Sequence, residues 1–463
     1  MTTPASPELL QTTEPAPPDG PKIYRVGTLK YTPHELYVMF FWLMWNDFTI
    51  MMMENVNAFG KFLQIDHHAT YSQIATFGAI GGLMNIWINP VFSVWSDRTR
   101  TRWGRRRPFL LLATPPLACF IMAIPYMPAF HHYLLRFSAA SWFFGHVHMD
   151  GAAFMVGLCI IALSIFNAMV LAIFSYLYWD VVPQEVLGRW TAMVRVVGAL
   201  GMFLWGFFLI GLADHHMKAL CVAVSLFCLL IYLLSTFKVK EGEYPPVDKH
   251  TKGGFFAPFR AYFLECYTDP FYLWIFGAFF IAGISNASND YKNYYLKYDL
   301  HADYNLFGKL TALPSLVPLI LGYFFGSIAD RLHPVRVIAP TFFLWGAICF
   351  GSYFFIHDKS SFVIWTSLTQ VAIFANGVTY GALLPEIYPR AKFGQFCSAN
   401  QLCGSIGGIL VPIPVAMLFD HIHSNRFAYM FSAIFLFAAG LLFLKVNKNY
   451  AERKGRVPEP QAG

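Results

Sequence analysis

Asp180-Val181-Val182-Pro183-Gln184-Glu185-Val186-Leu187-Gly188 and Glu386-Ile387-Tyr388-Pro389-Arg390-Ala391-Lys392-Phe393-Gly394 follow one pattern, in which an acid, two residues and a proline are followed by four residues and a glycine. Each copy follows a long apolar run and sits at a comparable place in its own half of the chain. A second pair agrees with the first. Ser96-Asp97-Arg98 and Ala329-Asp330-Arg331 each end an apolar run that precedes the longer motif by two runs. Two motifs recurring in one order point to a duplicated chain, a common construction for carriers in membranes.

The composition sets the solvent. Hydrophobic residues make up 56% of the 463 positions and charged residues 13%, against roughly a quarter charged in soluble domains. Apolar runs of about 18 residues or more recur, each long enough to cross ~30 Å of hydrocarbon. They are continuous rather than alternating, which selects helices over a β-barrel. The expected fold class is therefore an all-α polytopic membrane protein, with twelve transmembrane helices in two pseudo-symmetric six-helix bundles. The helices are expected near residues 34–58, 71–95, 107–127, 153–178, 191–212 and 217–237, then 271–294, 304–328, 336–356, 361–384, 396–418 and 427–446. Residues 1–30 read as a disordered cytoplasmic tail, 31–237 as the first bundle, 238–269 as a cytoplasmic linker, 270–447 as the second bundle and 448–463 as a cytoplasmic tail. An even number of spans puts both termini on one side, and most of the 33 Lys and Arg then fall on that side. This is the asymmetry of a cytoplasmic face, here of an integral plasma (inner) membrane protein. The +7 net charge follows from that asymmetry and implies no nucleic-acid partner. The eight cysteines are scattered with no ligand-like spacing, so no metal site or cofactor is expected. No GxSxG, HExxH or P-loop motif occurs, so neither an enzyme nor an ATP-driven pump is expected.

Asn89-Pro90-Val91-Phe92-Ser93-Val94-Trp95-Ser96-Asp97-Arg98 and the following Thr99 to Phe109, ending Arg105-Arg106-Arg107-Pro108-Phe109, resemble the loop signature of the glycoside–pentoside–hexuronide:cation symporters. These form a branch of the major facilitator superfamily. The Ser-Asp-Arg start and Arg-Arg-Arg-Pro-Phe end look most like the sucrose-transporter relatives, and Tyr294-Tyr295-Leu296-Lys297-Tyr298 also resembles the symporter branch. The resemblance implies two bundles rocking about a central cavity. It also implies a cytoplasmic gate made of Asp97, Arg98, Arg102, Asp180, Asp330, Arg331 and Glu386. A carboxylate at a helix end can pair with Arg or an opposing helix N-terminus and release when the bundles part. The plainer reading is that these arginines fix topology.

Ionisable groups inside a bilayer are costly and need a partner, a cavity or a purpose. Asp47 lies midway along helix one, in Trp45-Asn46-Asp47-Phe48. It matches the symporters' helix-one acid that holds sugar hydroxyls, a task for which a carboxylate offers two charge-assisted acceptors. A structural pair with Arg195 is the alternative. Asn46 belongs to the same expected substrate site, together with Arg195, Asn85, Asn89, Asn167, Asn286 and Asn289. Asn85, Asn89 and Asn167 stand where sodium-using members carry Asp. Asparagine keeps a carbonyl ligand but loses the charge and cannot release a proton. A sodium site is therefore not expected, which leaves Asp47 as first proton carrier and Asp290 as second. On helix seven, Asn286, Asn289, Asp290 and Asn293 fall at helical spacing and read as one polar stripe. The expected partners are a sugar or glycoside, a proton and the lipid bilayer. An uncoupled facilitator, a carrier of a lipid or other organic solute, and a non-transporting membrane sensor all remain open. Most of the 15 histidines fall in outward loops, which gives either a pH-responsive face or polar loop filler.

Overall fold

The computed structural model describes residues 23–26, 28–99, 101–242, 265–317, 320, 333–389 and 393–456. Side chains at some helical positions, among them Asn89, Asp97, Arg98 and Arg195, lie outside the described set, as do Asp330 and Arg331 altogether. Among the described residues, nine segments are long and apolar enough to cross a membrane. One of them, Val196–Lys238, holds two spans. Helix five (Leu187–Leu204) runs through a π turn (Trp205–Leu209) and a 3-10 turn (Ile210–Leu212) into helix six (Ala213–Lys238). Helix two (Tyr71–Arg98) and helix eight, described from Tyr304, complete twelve.

The remaining spans are helix one (Pro33–Asp66), helix three (Arg107–Ala123, carried on through Leu134 by short turns) and helix four (Gly151–Val181). Helix seven is Pro270–Asn286, helix nine Pro334–Phe355, helix ten Lys359–Ile387, helix eleven Phe393–Leu410 with Pro412–Ile422, and helix twelve Phe427–Arg456. Helix six ends at Lys238 and helix seven begins at Pro270. Before helix one, Tyr24–Val26 and Leu29–Tyr31 pair as an antiparallel hairpin. Helix seven is also interrupted. After Asn286 the chain restarts as Asn289–Tyr294 and ends in a π turn, Tyr295–Asp299. Here "inner" names the end that carries both termini and "outer" the opposite end.

The buried core falls into two large clusters. One runs from the first half into the outer part of the second, and the other, Cys266 to Val446, is confined to the second half. Helices five and eight meet backbone to backbone. A Cβ on Gly206 would lie 2.8 Å from Ala312 Cβ and 3.0 Å from the Gly308 carbonyl, and one on Gly308 would overlap Ile210 and the Gly206 carbonyl. Helices two and eleven approach in the same way, with a Gly82 Cβ 3.0 Å from Ile409 Cγ1. Overpacking so close a crossing costs about 1–3 kcal/mol. Gly308→Ala should therefore lower the thermal midpoint of the detergent-solubilised protein, and an unchanged midpoint would refute the close crossing.

Candidate functional site

Asp47 sits near the middle of helix one, half-buried, and its Oδ2 accepts a hydrogen bond from Tyr178 of helix four at 2.8 Å. Aromatic neighbours fix the tyrosine. Phe174 lies edge-on at 4.5 Å, Trp190 at 5.4 Å, and Trp190 in turn meets Phe40 at 4.8 Å. The carboxylate is thus held through Oδ2 by a positioned donor, and among the described residues no side chain donates to Oδ1.

Its neighbour Asn46 points elsewhere. One residue on a helix is a rotation of roughly 100°, and that turns Asn46 into the contact with helix six. It is fully buried, with Nδ2 donating to Ser235 Oγ at 3.0 Å and to the Leu43 and Trp42 carbonyls at 3.3 Å. Its Nδ2 is engaged in helix packing, whereas its buried Oδ1 has no hydrogen-bond partner among the described residues.

Helices two and four run in parallel. Phe77 packs on Gly157 and Phe154, and Gly81 faces Ser164, whose Oγ lies 2.5 Å from where a Cβ would stand. The next layer inward holds Asn85 and Asn167, each with a buried, unpartnered Oδ1. Buried amide oxygens ordinarily find donors, so this layer is polar and open to an added donor.

Of the stripe expected on helix seven, Asn286 and Asn289 share a face, while Asp290 turns to Lys61. Ser288 turns inward to Ser432 Oγ at 2.7 Å and to the Ser285 carbonyl at 2.8 Å, and the helix breaks there. Asn289 donates to Asn286 Oδ1 at 3.4 Å and accepts from Lys292 at 3.1 Å, on an exposed surface. Asp290 pairs with Lys61 at 2.7 Å and is 49% exposed at the outer end. The expectation that Asp290 lies buried within the membrane is corrected by this exposed ion pair.

At the inner end, each described gate candidate is bonded within its own half. Asp180 takes Arg105 at 2.7 Å and Arg106 at 3.2 Å. Arg106 also reaches Ser96, and Arg107 reaches the Thr236 and Phe237 carbonyls. Glu241 accepts the backbone N–H groups of Arg105, Arg106 and Arg107 at 2.9–3.2 Å. Gly104, at φ +103°, is required there, since a Cβ would stand 2.6 Å from the Glu241 carboxyl carbon. Arg102 is exposed and stacks on Trp103 at 5.4 Å. In the second half Glu386 meets His333 at 3.4 Å and the Tyr450 hydroxyl.

The described polar contacts that join the halves lie at the outer end, and they form a reciprocal pair. Asp420, from helix eleven, accepts the Tyr71 and Ser72 N–H groups that open helix two, at 2.8 and 2.9 Å. Asp214, at the turn after helix five, accepts the Tyr304 and Asn305 N–H groups that open helix eight, at 2.8 and 3.0 Å. Each helix start is otherwise capped by its own residue, Thr70 or Asp303. The four leading N–H groups of a helix have no partner within it, and their partial positive charge favours a carboxylate. Lys61–Asp290, Tyr298 to Asp66 at 3.1 Å, Tyr71 stacked on Tyr294 at 5.3 Å, and Phe62 among Tyr294, Tyr298, Tyr304 and Phe307 seal the surroundings.

Sequence reasoning missed both caps, although their signal is repeated. Asp214-His215 opens helix six, just past the outer end of helix five, and Asp420-His421 ends helix eleven, the equivalent of helix five; Thr70-Tyr71 and Asp303-Tyr304 open the equivalent helices two and eight.

Comparison with known proteins agrees with this architecture. The Major Facilitator Superfamily model matches residues 291–462. No curated protein matches the chain. Among solved structures, a bacterial homologue of the iron transporter ferroportin in its inward-facing state aligns at TM-score 0.66 and 14% identity, over 90% of this chain and 100% of that one. The outward-facing state of such a homologue aligns at 0.56 and 13%, over 89% and 99%. The nucleoside transporter NupG aligns at 0.61 and 10%, over 90% and 99%. This chain has the major-facilitator fold.

Removing a cap leaves two helix-terminal N–H groups without their charged acceptor, at a cost of about 1.5–3 kcal/mol per charged hydrogen bond in the closed form. Asp214→Ala and Asp420→Ala should each raise the rate at which an impermeant maleimide modifies a cysteine placed at the buried Val56 from the outer side. A rate equal to that of the parent would contradict the caps' role.

Proposed function

We propose that this protein is a secondary transporter that carries a hydroxyl-rich solute of the sugar or glycoside class by alternating access, with Asp47 as both a substrate acceptor and the proton-coupling carboxylate. The observation that carries the reading is the Asp47–Tyr178 pair, set between helices one and four towards the inner end, beneath a closed outer end. A carboxylate oriented by a phenol through one oxygen can accept a substrate hydroxyl through the other. Protonation would remove that acceptor strength and so link cargo to proton.

The two symmetric caps support movement between two states. They bind water-soluble groups to each other, so water can replace every bond when the outer ends part. The better superposition on the inward-facing than on the outward-facing ferroportin homologue supports an inward-facing conformation for the form described here. Both termini then lie in the cytoplasm, and the basic knot at Arg105–Arg107 lies on the cytoplasmic face.

The fold carries many cargoes, and the relatives named above are described as iron and nucleoside transporters. The cargo class is therefore argued from side chains. Asp47, Tyr178, Asn85 and Asn167 offer acceptors and neutral hydrogen-bond groups, which suit hydroxyls. The neutral pair Asn85 and Asn167 favours a second reading, an uncoupled facilitator of the same solutes. Asn286, Asn289, Asn89 and Arg195 remain proposed contributors to binding. Asp97, Arg98, Arg102, Asp180, Asp330, Arg331 and Glu386 remain the proposed inner gate, which would engage when the inner ends close.

Uptake of labelled sugars and glycosides into proteoliposomes separates these readings. With an inward proton gradient the parent should accumulate its substrate. Asp47→Asn should abolish accumulation, and Tyr178→Phe should weaken it. Accumulation that survives Asp47→Asn would refute the proton role, and gradient-independent equilibration by the parent would establish the facilitator.

A further inference from the structure

The connection between helices three and four is not an irregular outward loop. It is a pair of short helices, Met127–Leu134 and Ser138–Gly145, reversed through Leu135–Phe137. Three contacts seat one side of this hairpin on helix four: His131 lies over Gly151, and Phe143 and Phe144 meet Phe154 at 5.9 and 6.4 Å. Within the hairpin, Phe144 meets His131 at 4.6 Å. Gln73 of helix two also donates to the His148 carbonyl at 3.1 Å.

The other side is bare and aromatic. Phe130, Tyr133, Phe137 and Trp142 are 44%, 52%, 53% and 68% exposed. Neither helix contains a buried residue. Aromatic rings at this density are unsuited to water, and their depth explains them. Helix three with its extension runs 28 residues from Arg107 to Leu134, about 42 Å at ~1.5 Å per residue. The hydrocarbon is only ~30 Å thick. With Arg107 at the inner interface, Met127 to Leu134 stand beyond the hydrocarbon at the level of the outer headgroups, where Trp and Tyr collect.

The charge of the segment has one sign. From Pro108 to Met149 there is no Asp or Glu, while Arg136 and four histidines are present. Arg136 stacks on Tyr133 at 5.7 Å, which places the cation at the edge of the aromatic face.

We propose that the 127–149 hairpin is a lipid-docking element that lies in the outer headgroup layer, with Phe130, Tyr133, Phe137 and Trp142 inserted and Arg136 engaging anionic headgroups. It continues the lipid-facing surface of helix three and anchors the first half at the end where the halves part.

Reconstitution into phosphatidylcholine vesicles with and without phosphatidylglycerol tests this. The emission lost in Trp142→Phe defines the signal of Trp142. Phospholipid brominated near the headgroup should quench most of that signal, and aqueous iodide little of it. Brominated phosphatidylglycerol should quench it more than brominated phosphatidylcholine. Arg136→Gln should reduce that preference about fivefold, the equivalent of the roughly 1 kcal/mol contributed by one basic group near an anionic surface. Quenching by iodide and not by brominated lipid would overturn the proposal. So would quenching by neither, with Trp142→Cys chains cross-linking to each other, because the face would then cover a second copy. Equal quenching by the two brominated lipids would remove the anionic specificity.

Discussion

Two carboxylates, Asp214 and Asp420, each cross the boundary between the halves to cap the first turn of a helix on the other side. The outer end depends on this exchange. Helices five and eight, and helices two and eleven, can approach with almost no side chain between them only because their polar ends are satisfied across the same boundary. Charged hydrogen bonds of this kind contribute about 1.5–3 kcal/mol each when made, yet water replaces them at modest net loss. Such bonds bias a two-state equilibrium without fixing it, which is what a gate requires.

The inner end of the first half is built differently. Asp180, Glu241 and three consecutive arginines tie together helices two, three, four and six. Every described partner belongs to the same half, which ties those four helices together at their inner ends. The second half repeats the acid at Glu386 but pairs it with His333 and Tyr450. Rigid halves and a replaceable seam between them convert a local change at the outer end into a rotation of whole bundles. Asp47 and Tyr178 lie within one half and so travel together, keeping their geometry through such a rotation.

Much of the fold was legible because burial in lipid leaves a strong sequence mark. The spans, the break at Lys238 and the duplicated acid-proline-glycine motif all read directly. Asp47 was legible as well, since a lone carboxylate at mid-helix stands out against apolar neighbours. What escaped were properties that depend on rotation and partner choice. Asn46 is adjacent to Asp47 in sequence but faces helix six. On helix seven Asn286 and Asn289 share a face as expected, but Asp290, across the break at Ala287-Ser288, turns to Lys61. Asp290 looked intramembrane because the outer end of helix seven is rich in Tyr and apolar residues, yet it meets Lys61 in an exposed pair. The histidines have a partly local explanation: His68, His301 and His423 occupy left-handed backbone at φ 60°, 49° and 52°, positions where His is several-fold enriched. The reciprocal caps were written in the sequence twice, but a single Asp before a histidine carries no meaning until its partner helix is known.

The most direct test of the account is the distance between the halves at both ends. Spin labels at His68 and His421 report the outer end, and labels at Arg102 and Glu452 report the inner end, by double electron–electron resonance in nanodiscs. The account predicts two populations in which a short outer distance accompanies a long inner one, and the reverse. It also predicts that Asp214→Ala with Asp420→Ala moves weight from the first population to the second. A single distance at each end, unchanged by removing both caps, would contradict it.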